Sequence, residues 1–268
     1  MQDQTSRPGW HTVFSPDGDL YPRYIADPRR PRFRVARMSF ETSEIADAGD
    51  TRFGLMVGGR YGFFRFHPDG AHDRGIQIDL EGAIAGQFDL DSSQDNIGWD
   101  GLYGLQVAWA PERGPVLRFA IFHQSSHLGD EFVAETGRER INYTRQEYAA
   151  GASWSFHSHW RVYGEAARGF DLRTEQLQEP WRGQYGMEYE SDVVIGNHWG
   201  WYAAADSNHY QEDHWNATAT FQGGLRREVE RLARTYRLGI EYGDGRSQMG
   251  EFSREDERYI ALGVWFDL

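Results

Sequence analysis

A histidine and a serine lie two residues apart in segment 121–131, which reads Ile-Phe-His-Gln-Ser-Ser-His-Leu-Gly-Asp-Glu. They are His123 and Ser125, at the end of an alternating apolar run. Residues i and i+2 of a β-strand point to the same face, so the two side chains are predicted to be neighbours. A serine beside a histidine base is the beginning of a nucleophilic hydrolase site. What the pair can act on depends on which face of the sheet carries it.

The composition excludes several classes of function. The chain has 268 residues, no cysteine and a formal net charge of −13. The acidity argues against nucleic acid as a partner, because nucleic acid is bound by clustered Lys and Arg. The lack of cysteine rules out disulfides and thiolate metal sites. The 31 glycines, 10 Trp, 14 Tyr and 16 Phe residues are typical of a bacterial envelope protein. Met1 is followed directly by polar residues, as expected where a targeting segment has been removed.

Apolar and polar residues alternate with a period of two along most of the chain. In 76–90, Ile, Leu and Phe occupy one face, and Gln, Asp and Glu occupy the other. Residues 1–30 are predicted to form an extended N-terminal segment and residues 31–268 a domain of strands, in which only 226–234 has the composition of a helix. Twelve strands are predicted, at 31–42, 51–66, 75–90, 97–110, 114–125, 141–156, 159–170, 183–192, 198–209, 214–224, 232–243 and 257–268.

Two architectures fit this alternation. A soluble sandwich or barrel would bury the apolar face, whereas a transmembrane barrel would turn it to lipid. The strands are often longer than the ~9–11 residues that cross a bilayer, and Trp and Tyr lie near strand ends, as in an interfacial girdle. The last strand alternates up to Leu268, and the mean hydropathy of −0.72 is compatible with a membrane barrel. We predict an all-β fold, a transmembrane antiparallel β-barrel of about 12 strands with long outer loops and short periplasmic turns, in a Gram-negative outer membrane.

The polar face of the predicted strands carries charges of both signs. Opposite charges inside a narrow barrel are expected to pair and to fill it, so a largely blocked lumen is predicted. These charges are Asp79, Glu81, Arg118, Arg145, Glu147, Arg161, Glu165, Arg237 and Glu241.

The alternation also assigns the histidine and the serine to a face. Counting by twos from the apolar residues of 114–125 puts His123 and Ser125 on the outward, lipid-facing side. The same count along 141–156 puts Asn142 and Gln146 outward beside them. Bacterial barrels usually keep the N-terminus in the periplasm, so the fifth strand ends at the cell surface, and the residues are predicted to lie at the outer leaflet. The plainer interpretation is that they are rim residues that meet lipid headgroups.

The chain resembles known proteins at two levels. As a whole, from Phe14 onward, it resembles a family of bacterial outer-membrane proteins of unknown function, with 122–131 as the distinctive motif. Locally, His123-Gln-Ser125 followed by Asn142 resembles outer-membrane phospholipase A, a twelve-stranded barrel with an exterior His–Ser–Asn triad, and also the lipid A deacylases. The resemblance implies that Ser125 is the nucleophile, His123 the general base and Asn142 the residue that orients the imidazole.

The match changes after the serine. The phospholipases continue His-x-Ser with Asn-Gly, whereas this chain has Ser126 and a later Gly129. Ser126 and Gly129 are therefore both candidates for an oxyanion or supporting role. Gln146 is a further supporting residue and an alternative to Asn142 as the third member of the triad.

An acidic loop follows the motif. Its first carboxylates, Asp130 and Glu131, are of the type that suits Ca2+. Either of them is also an alternative to Asn142 as the third member of the triad. The resemblance to the phospholipase implies calcium at a homodimer interface, while a simply solvated loop is the plainer interpretation. The other histidines, including His209, show no specific metal-binding spacing.

The predicted function is a phospholipase A-like or lipid A deacylase-like lipid esterase, whose partners are membrane lipids, either phospholipid or lipopolysaccharide. A non-enzymatic barrel, either a narrow channel or a structural or export partner, is the alternative, and a soluble sugar-binding sandwich is a third interpretation.

Overall fold

Antiparallel strands make up most of the molecule. The computed structural model describes residues 9–92, 95–173, 178–196, 198–229 and 234–267. Strands β2 to β13 pair in chain order and β13 pairs with β2, which closes a barrel, while β1 pairs with the end of β3. The predicted antiparallel barrel of 12 strands is confirmed. The strands are β1 (Trp10–Phe14), β2 (Phe33–Ser43), β3 (Thr51–Pro68), β4 (Gly75–Asp89), β5 (Asn96–Ala110), β6 (Val116–Leu128), β7 (Thr144–Phe156), β8 (Trp160–Arg173), β9 (Trp181–Glu190), β10 (Gly200–Tyr210), β11 (Ala217–Val229), β12 (Arg234–Arg246) and β13 (Asp256–Phe266).

The period-two pattern of the sequence becomes an inside and an outside of the barrel. In β4, Ile76, Leu80 and Ile84 point outward and are exposed, whereas Gln77 and Asp79 point inward and are fully buried. An apolar belt of this kind is unfavourable in water and favourable against lipid tails. The barrel is therefore a transmembrane barrel. Within the described ranges, no helix is both long enough and apolar enough to cross a membrane.

The two ends of the barrel differ. The end at which β2 begins and β13 ends, here the termini end, has connections that include the short turn 157–159. The opposite end, here the loop end, carries the longest connection between two barrel strands, 129–143. That loop contains the helix α1 (Asp130–Thr136), whose acidic first turn suits the positive end of the helix dipole and whose last turn is ended by Gly137 in the left-handed conformation.

The lumen is filled by buried ion pairs. Arg118 lies 2.5 Å from Glu165 and 3.2 Å from Glu81, and Arg182 lies 2.7 Å from Glu165. Arg145 pairs with Glu147 at 2.8 Å. The predicted pairing of lumenal charges is confirmed for these residues. A buried pair contributes little net stability, but removing one partner leaves an uncompensated charge and costs about 3–5 kcal/mol.

An N-terminal segment, residues 15–32, passes through this lumen, and we call it the plug. Its Tyr21 carbonyl accepts from Arg60 of β3 at 2.7 Å, and its Ile25 N–H donates to Glu188 of β9 at 2.7 Å. Strands β3 and β9 are six strands apart in either direction around the barrel, so the plug contacts opposite walls. Arg30 of the plug pairs with Glu165 at 2.9 Å. The predicted boundary at residue 30, between the N-terminal segment and the barrel domain, stays a prediction.

Two features of the backbone differ from the sequence-based expectations. The helix-like composition of 226–234 does not give a helix in the described residues, because Arg226–Val229 continue β11 and Arg234 begins β12, with Glu228 paired to Thr235; residues 230–233 lie outside the described residues. Strand β7 begins at Thr144 and not at 141, because Asn142 has a φ of +55° and the neighbouring amide of Tyr143 donates to Glu251.

Candidate functional site

The β6 pair, His123 and Ser125, lies on the outer wall close to the loop end. Both side chains point outward and are partly buried, and Ser125 is near the end of β6. Across the neighbouring strands, His123 is paired with Tyr103 of β5 and Gln146 of β7. Ser125 is paired with Gly101 and Thr144.

The imidazole of His123 lies between an aromatic ring and an amide. It stacks on Tyr103 with ring centroids 4.3 Å apart and planes at 19°, a contact that fixes the plane of the ring. Its Nδ1 is buried and has no hydrogen-bond partner. On the other side, Gln146 donates through Nε2 to Asp171 of β8 at 2.6 Å. Of the Gln146 side-chain atoms only the carbonyl oxygen is an acceptor, so it is the group that can receive a hydrogen from a ring N–H.

The hydroxyl of Ser125 faces a glycine. A Cβ added to Gly101 would lie 3.1 Å from Ser125 Oγ, closer than ordinary van der Waals contact. The missing side chain leaves the space beside the hydroxyl open to a substrate. Among the described residues no hydrogen bond joins Ser125 to His123, so the pair is adjacent by strand geometry without being locked together.

A shallow groove on the outer wall leads to this pair. It is formed by Gly58, Gly59 and Gly82 together with Leu80, and it ends at Tyr103, the ring that stacks on His123. The depression is open to the outside and lies among the exposed side chains of Tyr61, Leu80 and Tyr103.

The other predicted site residues lie around the pair in different environments. Asn142 is exposed in the connection before β7, two residues before the strand begins. Ser126 points into the lumen, and its N–H donates to the Tyr143 carbonyl at 3.0 Å. The N–H of Gly129 donates to the Ile97 carbonyl at 3.0 Å. Both of these amides are therefore occupied in this arrangement.

The acidic residues of α1 do not form a calcium site within one chain. Asp130 pairs with Arg140 at 2.5 Å, and both Asp130 and Glu131 are exposed. In the part of the chain that the structure describes, no three His, Asp or Glu side chains lie close enough together to bind a metal ion. Calcium needs six to eight oxygen ligands, so these residues of one chain do not fit it.

Sequence reasoning did not identify Tyr103 or Asp171, because the register between strands is needed to find them. It also did not identify Ser207, which precedes His209 by two residues on β10. The signal was present, since a serine and a histidine at i and i+2 in an alternating strand share a face just as His123 and Ser125 do.

The fold and the outward pair define a class: a twelve-stranded transmembrane β-barrel with a candidate serine–histidine site on its outer wall. Within that class, the chain belongs to the family described as "Protein of unknown function (DUF1207)", whose profile matches residues 9–268. The predicted membership of an outer-membrane barrel family of unknown function is confirmed. A search of curated protein sequences finds no match.

Solved structures with a similar fold include outer-membrane phospholipases. A Salmonella typhi outer membrane phospholipase, described as a dimer with bound calcium, has a TM-score of 0.60 and 11% identity, over 92% of this chain and 95% of that one. The Escherichia coli outer membrane phospholipase A has a TM-score of 0.58 and 10% identity, over 90% and 94%. The KdgM porin has a TM-score of 0.40 and 9% identity, over 88% and 98%. At these identities the similarity concerns the fold alone.

Proposed function

We propose that this protein is a lipid esterase of the bacterial outer membrane, with His123 and Ser125 at its centre. One observation carries the proposal: His123 lies across from Gln146, whose amide nitrogen is held by Asp171, while His123 Nδ1 has no partner of its own. A catalytic histidine needs an acceptor at Nδ1 to fix its tautomer, and the carbonyl oxygen of Gln146, across from it on β7, is the candidate. The serine next to that ring faces open space.

The proposed chemistry is acyl transfer through the serine. Ser125 Oγ attacks the ester carbonyl while its proton moves to His123 Nε2, and the bond to the leaving alcohol breaks as His123 returns the proton to it. Water then hydrolyses the acyl-serine, with His123 again as base, and releases the fatty acid. In this mechanism the Gln146 carbonyl becomes the acceptor for Nδ1–H, which has no partner in the structure, and it stabilises the imidazolium. Asn142 stays the alternative for this role.

The substrates that fit this location are membrane lipids. In the proposed orientation the termini end is periplasmic, so the β6 pair lies at the outer leaflet, where phospholipid or lipopolysaccharide is within reach. The groove of Gly58, Gly59 and Gly82 supports an acyl chain lying along the wall with its ester near Ser125. Apolar contact of this kind contributes about 0.8 kcal/mol for each buried CH2 group.

The Salmonella typhi phospholipase with the similar fold is a dimer with bound calcium. Dimerisation and calcium dependence are therefore both to be tested for this chain. Because the residues of one chain do not fit a calcium site, calcium is a variable to be tested in the assay, and no role in the reaction is assigned to it. The oligomeric state is to be measured in detergent by light scattering.

A non-enzymatic barrel, either a narrow channel or a structural or export partner, is the second candidate function. The barrel fold is compatible with it, but the plug occupies the lumen, and conduction along the axis requires the plug to move. A conductance in planar bilayers that is unchanged in Ser125→Ala would favour this candidate.

The experiment that tests the esterase uses the full chain folded in detergent micelles. A serine-reactive fluorophosphonate is expected to label Ser125, as located by peptide mass spectrometry, with calcium and with chelator. His123→Gln should lower the labelling rate about a hundredfold or more. Ser125→Ala should lower fatty acid release from phospholipid or lipopolysaccharide.

Ser39→Ala is the matched control, because Ser39 points outward from β2 and has Arg37 and Glu41, not histidines, two residues away. Folded protein in which Ser125 is never labelled would contradict the proposal.

A further inference from the structure

A second serine and histidine are joined by a hydrogen bond on another part of the outer wall. Ser207 and His209, here the β10 pair, are two residues apart, and both point outward from β10. Ser207 Oγ lies 2.9 Å from His209 Nε2. Strand β10 is four strands from β6 in the twelve-stranded barrel, about a third of its circumference, so the two pairs share no neighbouring strand.

The second partner of His209 determines which ring nitrogen carries the proton. His209 Nδ1 lies 2.9 Å from the backbone carbonyl oxygen of Trp215. A carbonyl can only accept, so Nδ1 must carry the hydrogen and donate it. In the neutral ring Nε2 then has a free lone pair, and the Ser207 hydroxyl donates to it. This is the arrangement in which a histidine acts as general base to a serine nucleophile.

The backbone holds that carbonyl in place. His214 and Trp215 both have a positive φ, +51° and +65°, a conformation that costs non-glycine residues about 1–2 kcal/mol each. The Trp215 N–H donates to the Tyr210 carbonyl at 3.0 Å, which fixes the turn at the end of β10. On its other side the imidazole stacks on Tyr185, with centroids 5.3 Å apart and planes at 18°. The ring is therefore held by contacts that are independent of the serine.

The surface in front of Ser207 is open and apolar. Two of its outward neighbours, Ala205 and Ala219, are small, and Tyr185 lies across from it on β9. A Cβ added to Gly183, across from His209, would touch nothing within 4 Å. Exposed Phe221 stands beside this strip of small residues. Ser207 is as near the end of β10 as Ser125 is to the end of β6, so an ester at the headgroup boundary can reach it while its acyl chain lies along the strip.

We propose that Ser207 is a second nucleophile of this barrel, which acts on carboxylic esters of membrane lipids with His209 as its base. Ser207 Oγ bonds to the ester carbonyl carbon as its proton moves to His209 Nε2. The bond to the alcohol breaks and the alcohol takes that proton, and water then cleaves the acyl-serine to give the fatty acid. The Trp215 carbonyl stabilises the ring while it is charged. This site uses none of the residues of the β6 pair and does not depend on the function proposed for it.

The test is site-resolved labelling of the full chain folded in detergent micelles. A long-chain alkyl fluorophosphonate is applied to the original chain and to Ser125→Ala, Ser207→Ala, His209→Gln and the control Ser39→Ala, and labelled peptides are located by mass spectrometry. Heat-modifiable migration in gel electrophoresis checks that each variant is folded. Label is expected on Ser207 in the original chain, in Ser125→Ala and in Ser39→Ala.

His209→Gln is expected to lower the rate of labelling at Ser207 about a hundredfold or more while leaving the rate at Ser125 unchanged. Folded protein with no label on Ser207, or with a label that His209→Gln does not slow, would overturn this proposal whatever happens at Ser125. A label on Ser207 but not on Ser125 would instead support this site and contradict the function proposed for the β6 pair.

Discussion

Gln146 lies directly across from His123 on the neighbouring strand, and its amide nitrogen donates to Asp171 at 2.6 Å. Asn142, the residue that the family resemblance suggests for the same role, is exposed in the turn before that strand. The two residues lead to different expectations for their variants, and the difference can be measured.

Gln146→Ala is therefore expected to slow labelling of Ser125 more than Asn142→Ala does. A hydrogen bond to a charged group is worth about 1.5–3 kcal/mol, which corresponds to roughly a tenfold to hundredfold loss in rate. The measurement is the rate of fluorophosphonate labelling at Ser125 in each variant, with thermal unfolding as the control for stability. The reverse order of effects would assign the orienting role to Asn142.

The open space beside Ser125 leads to a second prediction. Gly101→Val would put side-chain atoms against Ser125 Oγ, because even a Cβ at this position lies 3.1 Å away. A displacement of reacting groups by about 1 Å can cost about a hundredfold in rate, so labelling and fatty acid release at Ser125 are expected to fall by that amount. Gly164→Val is the matched control, since a Cβ there meets nothing closer than 3.9 Å. Equal effects of the two substitutions would show that Ser125 is not the reacting group.

Much of the barrel could be predicted from alternation alone, because outward and inward side chains differ in every strand. Each predicted strand overlaps an observed one, and the largest error is at the end of β11, predicted at 224 and observed at Val229. There 226–234 has a helix-like composition, but pairing with β12 makes Arg226–Val229 a continuation of β11.

The register between strands could not be predicted in the same way. The register of β7 against β6 depends on the connection 129–143, which contains a helix and a left-handed residue, Asn142. The position of Gln146 across from His123 follows from that register and from nothing in the alternation. The path of the plug could not be predicted for a similar reason. Residues 15–32 have no periodic pattern, and they are positioned by individual hydrogen bonds to the lumenal wall, such as those of Tyr21 and Ile25.

A third prediction concerns the charges that fill the lumen. Glu165 accepts from Arg118, Arg182 and, in the plug, Arg30. Glu165→Gln leaves three arginines short of a counter-charge, so it should lower the free energy of unfolding by about 3–5 kcal/mol. The measurement is urea unfolding in detergent. Asp244→Asn removes an exposed pair with Arg258 and should change stability by only about 0–1 kcal/mol. A Glu165 variant as stable as the Asp244 variant would show that the lumenal network does not hold the barrel together.

The last prediction is a pH dependence of the plug. Burial alone would raise the pKa of Asp27, but Arg29, Arg30 and a hydrogen bond from Gln184 outweigh it and hold the pKa below its usual value. Because the folded-state pKa is depressed, Asp27 contributes stability that is fully present above its unfolded pKa, near 3.8, and that is lost as the pH falls through the folded value.

Asp27→Asn should therefore destabilise the protein at pH 7 by about 1–3 kcal/mol, through loss of the charge-assisted hydrogen bonds. The difference between the original chain and the variant should shrink as the pH falls below about 4, because the original carboxylate becomes neutral as well. Thermal unfolding in detergent across this range, followed by circular dichroism, measures it. Arg29→Gln serves as a companion variant that removes one of the two charges holding the pKa down, so the stability lost between pH 7 and low pH should be smaller than in the original chain. A difference that stays constant from pH 7 to below the usual Asp pKa would mean that the Asp27 carboxylate does not anchor the plug.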